Sequence, residues 1–277
     1  MTVLEAKDLV KDYTLRNGLK TTTLRAVDHV SFRLVPGKTI ALVGQSGSGK
    51  STIAKLLLQL ESPTRGQILI DGEPVTRHGR GMKDYRGIVQ MVFQDPFASL
   101  NPYHSIGHHL ARPVRLHNPQ MSREQVRERV LDLLRRVRLD PAEDYADRKP
   151  HELSGGQRQR VAIARALAPD PGILIADEPV SMLDVSIRLG VLNLLAEIQQ
   201  ERELGVLYIT HDLATARHFS DEIMVLYHGQ VVEHGPADSV ILSPQHEYTR
   251  TLRAAAPDPE RRLAELRAAR SGAGAQA

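Results

Sequence analysis

The chain has 277 residues, 41% of them hydrophobic, which is enough for one large core or a core with a subdomain. It contains no cysteine, which rules out a disulfide framework, a thiolate metal site and an iron–sulfur cluster, and its net charge of +3 gives no footing for nucleic-acid binding. No apolar run approaches the ~20 residues of a membrane helix, and Met1 to Asp8 lacks the basic and apolar regions of a signal peptide, so none is expected.

In chain order, residues 4–10, 26–34 and 67–70 predict an antiparallel β region. Residues 40–43 are a short apolar run leading into a glycine-rich turn, and residues 50–60 follow with a helical pattern. Residues 88–93 predict another buried strand. From 95 to about 152 the chain turns rich in Arg, His and Pro, and 122–138 is an amphipathic helix with a basic polar face; this predicts a helical insertion. Helical patterns at 157–168 and 185–201 then alternate with apolar runs at 172–176, 206–209 and 223–227. That alternation predicts an α/β fold around a mostly parallel sheet. After Val240 the chain becomes an appendix, with a short helix expected at 261–270 and a disordered tail at 271–277.

Residues 44–52 read Gly44, Gln45, Ser46, Gly47, Ser48, Gly49, Lys50, Ser51, Thr52, after a strand and at the opening of a helix. In that context the pattern is a phosphate loop: the glycines let backbone N–H groups crowd round phosphate oxygens, and the helix start adds positive potential. Lys50 supplies a cation to the β and γ phosphates, Ser51 a hydroxyl for Mg²⁺, and Thr52 a further hydrogen bond. Asp177 and Glu178 end an apolar strand. Two adjacent carboxylates are costly there unless a cation or a water uses them. Asp177 is therefore read as holding Mg²⁺ through water, and Glu178 as polarising the attacking water. A helix-capping acidic pair before Pro179 is the plainer reading, and the phosphate loop outweighs it. Ser154, Gly155, Gly156 and Gln157 form a capping box, Ser-x-x-Gln, and a capped helix start with two glycines is also an anion site. One nucleotide already fills the phosphate loop, so this second site is expected to serve the γ-phosphate of another subunit's nucleotide.

In this order the motifs over residues 4–240 resemble the nucleotide-binding subunit of an ATP-binding cassette importer. The resemblance implies a P-loop NTPase (RecA-like) core with an N-terminal antiparallel β region and an inserted helical subdomain at about 95–160. It implies ATP and Mg²⁺ as ligands. It further implies that Gln94 contacts Mg²⁺ and water, that His211 touches the γ-phosphate and orients Glu178, and that Tyr13 stacks on adenine. Residues 181–184, Ser-Met-Leu-Asp, match the family's signalling loop with Met182 in place of the usual Ala. Residues 94–102 and 243–249 resemble the oligopeptide/dipeptide branch, with Glu247 where that branch usually has Pro. Residues 179–190 and 210–217 also resemble members of it that import oligosaccharides. The implied partners are a second ATPase subunit in a heterodimer, two membrane permease subunits and, through the complex, an extracellular solute-binding protein. The implied location is the cytoplasmic face of the membrane, with residues 241–277 a C-terminal extension. A soluble, non-transport cassette ATPase is the competing class, but such proteins generally carry tandem cassettes or long coiled-coil insertions. His104 and His108 have a metal-ligand spacing, yet no nearby Cys or closely spaced carboxylate completes a site, so a surface helix facing a partner is expected there.

Overall fold

The first sheet is an antiparallel platform. In this computed structural model, which describes residues 2–18, 20–76, 79–96 and 99–255, β1 (Leu4–Asn17) and β2 (Lys20–Leu34) form a long hairpin. β1 is flanked on its other side by β4 (Arg65–Ile70), and β5 (Glu73–Pro74) follows, giving the order β2-β1-β4-β5. The hairpin runs well past the strands expected at 4–10 and 26–34, pairing Lys11 with Val27 and on through Arg16 with Thr21. Leu15 and Leu24 in this outer part are about half exposed. With no buried face, the outer hairpin carries no apolar alternation to announce it.

The second sheet has the order β10-β9-β3-β8-β7-β6. It comprises β3 (Thr39–Val43), β6 (Val89–Val92), β7 (Ile173–Asp177), β8 (Gly205–Thr210), β9 (Glu222–Tyr227) and β10 (Gln230–Pro236). Neighbours are parallel except β10, which runs antiparallel to β9. Alternate residues serve two cores. Ile40, Leu42, Ile175, Leu207 and Met224 face the platform and α1 (Lys50–Leu57). Ala41, Val43, Leu174, Val206, Tyr208 and Val225 face the helices on the other side. Because both faces are covered, every residue of β3 and β8 is buried, and the sequence reads there as an unbroken apolar run.

α1 stops at Leu57 rather than running to residue 60, since Gln59 turns into a left-handed conformation. The apolar run 88–93 divides: Ile88 closes α2 (Gly79–Ile88), a helix with only Tyr85 fully buried, and the strand begins at Val89. The insertion holds α3 (Ile106–His117), α4 (Arg123–Arg136), α5 (Ala142–Asp147) and a 3₁₀ turn at Pro150–Glu152. Ser122 caps α4 reciprocally with Gln125, and Val126, Val130, Leu133 and Leu134 make its buried stripe. α6 (Gly155–Leu167), α7 (Val185–Arg202) and α8 (Leu213–Phe219) return the chain between strands.

Beyond the sheet, α9 (Ala237–Leu242) and α10 (Glu247–Ala255) fold back. Val240 is buried in the core, so residue 240, the expected boundary, lies inside α9. Glu233 accepts from the N–H groups of Gln245 and His246 at 2.8 and 3.0 Å, which anchors α10 on β10. The expected helix at 261–270 and the tail at 271–277 lie outside the described residues. Among the described residues no helix is long and apolar enough to cross a membrane.

Candidate nucleotide site

Four neighbouring strands, β3, β8, β7 and β6, all release the chain at the same sheet edge. Residues 44–52 follow β3, His211 follows β8, Glu178 follows β7, and Gln94 lies shortly after β6. Parallel strands with crossovers collect loop residues at their carboxyl ends, which is where α/β sheets bind ligands.

The phosphate loop is clamped between β9 and β2. A Cβ on Gly44 would lie 2.3 Å from the Leu226 carbonyl oxygen, and one on Gly49 would lie 2.3 Å from that of Ala26. Gly49 also holds φ at 112°, and no side chain caps α1 there, so the first amides of the helix keep no side-chain acceptor. Gln45, Ser46 and Gly47 form the exposed rim, and Ser48 and Lys50 are buried. Lys50 Nζ lies against the carbonyls of Gly44 at 2.6 Å and Gln45 at 2.9 Å. Burial holds its pKa below the ordinary lysine value, while Glu178 and Asp177 pull it back up. Ser51 is exposed and Thr52 half-buried on the first turn of α1.

Glu178 leaves the strand with φ at 44°, a left-handed conformation that is strained for a residue with a Cβ. Its own backbone holds it there: the N–H donates to the Ile209 carbonyl at 2.9 Å, and its carbonyl accepts from the Ser181 hydroxyl at 3.0 Å. The carboxylate is thereby set between two side chains. Gln94 Nε2 donates to Oε2 at 3.1 Å, and His211 Nδ1 lies 3.0 Å from Oε1. A carboxylate only accepts, so His211 carries its proton on Nδ1 toward Glu178 and offers Nε2 to the cleft. Asp177, next in line, has its carboxyl pushed above the usual range by burial and by Glu178, partly offset by Lys50.

Asp212 sits behind His211 and caps α8 by accepting from the N–H of Ala214 at 2.9 Å; Arg188 of α7 reaches it at 3.8 Å. Both lie in the stretches 179–190 and 210–217 matched by resemblance, which assigned neither of them a role. Asp184 stands at the N-cap of α7 without a side-chain cap bond, and Met182 is exposed.

Tyr13 lies beside α1, in contact with the Thr52 side chain, and donates to Glu61 Oε2 at 2.6 Å. Burial, with Glu61, raises its pKa. Lys11 Nζ is 5.0 Å from its ring centroid.

At the start of α6, the Ser154 N–H donates to Gln157 Oε1 at 2.9 Å, and the Ser154 hydroxyl accepts from the Gln157 N–H at 3.3 Å. Gln157 also donates to the Tyr145 hydroxyl at 3.0 Å, a supporting contact that the sequence did not reveal. The two glycines differ. Gly155 has room, with Leu183 the nearest group at 3.7 Å, whereas a Cβ on Gly156 would meet Ile187 Cγ2 at 2.6 Å. The second glycine is therefore needed for packing on α7 within this chain, besides any role toward a ligand.

His104 and His108 stack with ring centroids 4.1 Å apart, and His109 meets both edge-on. They line a groove of about 590 Å³ that also includes Phe93 and Leu116. Among the described residues no group of three or more His, Cys, Asp or Glu side chains is placed to hold a metal ion.

The ABC transporter family profile matches residues 27–181. The chain is similar to the dipeptide transport ATP-binding protein DppF of Escherichia coli (strain K12), 45% identical over 92% of this chain and 76% of that protein. To the di/tripeptide transport ATP-binding protein DppF of Pseudomonas aeruginosa (strain UCBPP-PA14) it is 47% identical over 92% of this chain and 79% of that one. Among solved structures, the dimeric ATP-binding cassette MJ0796, in a post-hydrolysis state bound to ADP and Pi, superposes with a TM-score of 0.72 at 32% identity. That match covers 84% of this chain and 98% of the other. With a phosphate loop and an acidic strand end at one parallel sheet edge, and a capped glycine pair at the start of α6, the chain belongs to the ABC transporter family, as an ATP-binding ATPase subunit.

Proposed function

We propose that this chain hydrolyses ATP to power the import of short peptides. The grouping of Gln94, Glu178 and His211 carries this reading, because it sets one carboxylate, oriented from both sides, beside the phosphate loop. Lys50, Ser51, Thr52 and loop amides such as those of Ser46 and Gly47 take the phosphates, and Tyr13 takes the adenine face. Glu178 accepts a proton from the attacking water, and His211 donates to the γ-phosphate when Nε2 carries a proton as well as Nδ1, since a phosphate oxygen only accepts. The oxygen donors of Ser51, Gln94 and Asp177 suit Mg²⁺, and the raised pKa of Asp177 marks a carboxylate pair that a divalent cation would relieve. When bound there, Mg²⁺ would neutralise charge developing on the phosphate oxygens.

The start of α6 is held by Tyr145, Leu183 and Ile187 rather than by the phosphate loop, so Ser154, Gly155 and Gln157 are left to face a neighbour's ATP. The dimeric state of the solved relative with ADP and Pi supports that arrangement. The full assembly is a heterodimer of ATPase subunits beneath two permease subunits, at the cytoplasmic face of the membrane, fed by an extracellular binding protein. The ATPase domain, expected at 1–240, runs on through α9 to Leu242 with its helical subdomain at about 95–160, and the chain after it forms the extension. Peptide cargo follows from the two DppF relatives, whose names specify dipeptides and di/tripeptides.

The test is to reconstitute the assembled transporter in liposomes and measure ATP hydrolysis with the binding protein loaded in turn with a tripeptide or an oligosaccharide. Stimulation by the peptide-loaded receptor is expected. Stimulation by oligosaccharide alone would remove the cargo assignment, and absence of hydrolysis under both conditions would remove the chemistry.

A further inference from the structure

One peptide group joins the C-terminal extension to the phosphate-loop lysine. The carbonyl of the Gly44–Gln45 peptide accepts from Lys50 Nζ at 2.6 Å, and the N–H of the same peptide donates to the Tyr248 hydroxyl at 3.0 Å. A trans peptide is planar, with its C=O and N–H pointing opposite ways. Fixing the N–H therefore fixes where the carbonyl points, and with it one of the two carbonyls on which Lys50 rests.

Tyr248 is itself held. Its ring lies against Tyr227 with centroids 4.1 Å apart at 30°, and its N–H donates to His246 Nδ1 at 3.1 Å. The next residue, Thr249, is fully buried, and Glu233 ties down the start of the helix. Tyr227 ends β9, the strand whose Leu226 carbonyl crowds Gly44. The same strand end thus sets both the first glycine of the loop and the ring that carries the hydroxyl. The segment 243–249, legible in the sequence only as a family signature, has a physical task here.

We propose that Tyr248 is a positioning residue of the nucleotide site: it holds the Gly44–Gln45 peptide in the orientation that presents Lys50, so that the C-terminal extension is part of the machinery for binding ATP. This rests on reading Lys50 as the cation for the β and γ phosphates. Without the hydroxyl, the exposed rim of the loop samples turned-over peptide orientations, and apparent ATP affinity falls by the fraction of loops left competent.

The experiment uses the full chain, with ATP affinity measured by competition against a fluorescent ATP analogue and melting temperature measured without nucleotide. Tyr248→Phe keeps the ring on Tyr227 and removes only the acceptor. ATP affinity should fall about three- to tenfold, the range for one lost neutral hydrogen bond, at an unchanged melting temperature. In a Lys50→Ala background the same substitution should change affinity less than about twofold, because the group being positioned is gone. Wild-type affinity in Tyr248→Phe, with Lys50→Ala impaired, overturns the proposal. An equal loss in both backgrounds overturns it as well, since Tyr248 would then act independently of Lys50. If Lys50→Ala itself binds ATP as the wild type does, the reading of the loop fails and the proposal falls with it.

Discussion

At the residue scale, Glu178 and Asp177 are adjacent carboxylates with different surroundings. Glu178 is oriented by Gln94 and His211, and Glu178→Gln keeps its shape while removing the proposed base. Turnover of the assembled transporter should fall ~10²–10⁴-fold with ATP affinity retained. Near-normal steady-state hydrolysis in that variant would take the role away from Glu178. Asp177 is half-buried, and burial and the neighbouring Glu178 raise its pKa. Above the raised value the folded chain carries a disfavoured charge. Below the ordinary carboxylate value both folded and unfolded chains hold the proton, and the penalty vanishes. Asp177→Asn should therefore raise the melting temperature of the nucleotide-free chain at neutral pH, by an amount that shrinks as the pH falls through the carboxylate range. A gain that ignores pH would mean that the charge is not its source.

At the element scale, α4 and α6 start with the same capping box, Ser122 with Gln125 and Ser154 with Gln157, and only α6 stands in the candidate site. Alanine at either serine should cost ~1 kcal/mol in urea unfolding. Only Ser154→Ala should also slow hydrolysis in the assembled complex; equal activity of the two variants would reduce the α6 box to a cap. Gly156 gives a second handle on this helix. Its Cβ would meet Ile187 Cγ2 at 2.6 Å, so Gly156→Ala should destabilise the chain by ~1–3 kcal/mol. Ile187→Ala removes that methyl group, and the double variant should recover part of the loss. No recovery would place the strain elsewhere.

At the scale of the whole molecule, the C-terminal segment is packed onto the sheet rather than appended to it. Thr249 is buried, Leu252 and Tyr248 pack against the main core, and Glu233 binds the start of α10. Ending the chain at Leu242 should lower the melting temperature by several degrees, as loss of ~1–2 kcal/mol does for a domain of this size. Removing only residues 271–277, which are small or polar, should leave it unchanged. Equal melting temperatures for the two truncations would mean that α10 adds nothing to stability.

The phosphate loop, the capped glycine pair of α6 and the strands β3, β7, β8 and β9 were legible in the sequence for a local reason. A backbone cradle, a reciprocal cap and a doubly buried strand are each made by consecutive residues, so their chemistry is written in one short stretch. Family resemblance added the names of Gln94, His211 and Tyr13. Their surroundings are another matter. Gln94 and His211 reach Glu178 across 84 and 33 residues of chain, and only the adjacency of β6, β7 and β8 brings them together. The exposed outer hairpin escaped notice because strand pairing without burial leaves no periodicity, and α2 because the apolar run at 88–93 was shared between a helix end and a strand. The contacts of Tyr248 with Gln45 and of Gly156 with Ile187 follow from how helices settle on the finished sheet. No spacing along the chain encodes a contact between elements that meet only after folding, so sequence alone determined the chemistry of the loops, and the tertiary structure decided what holds each of them in place.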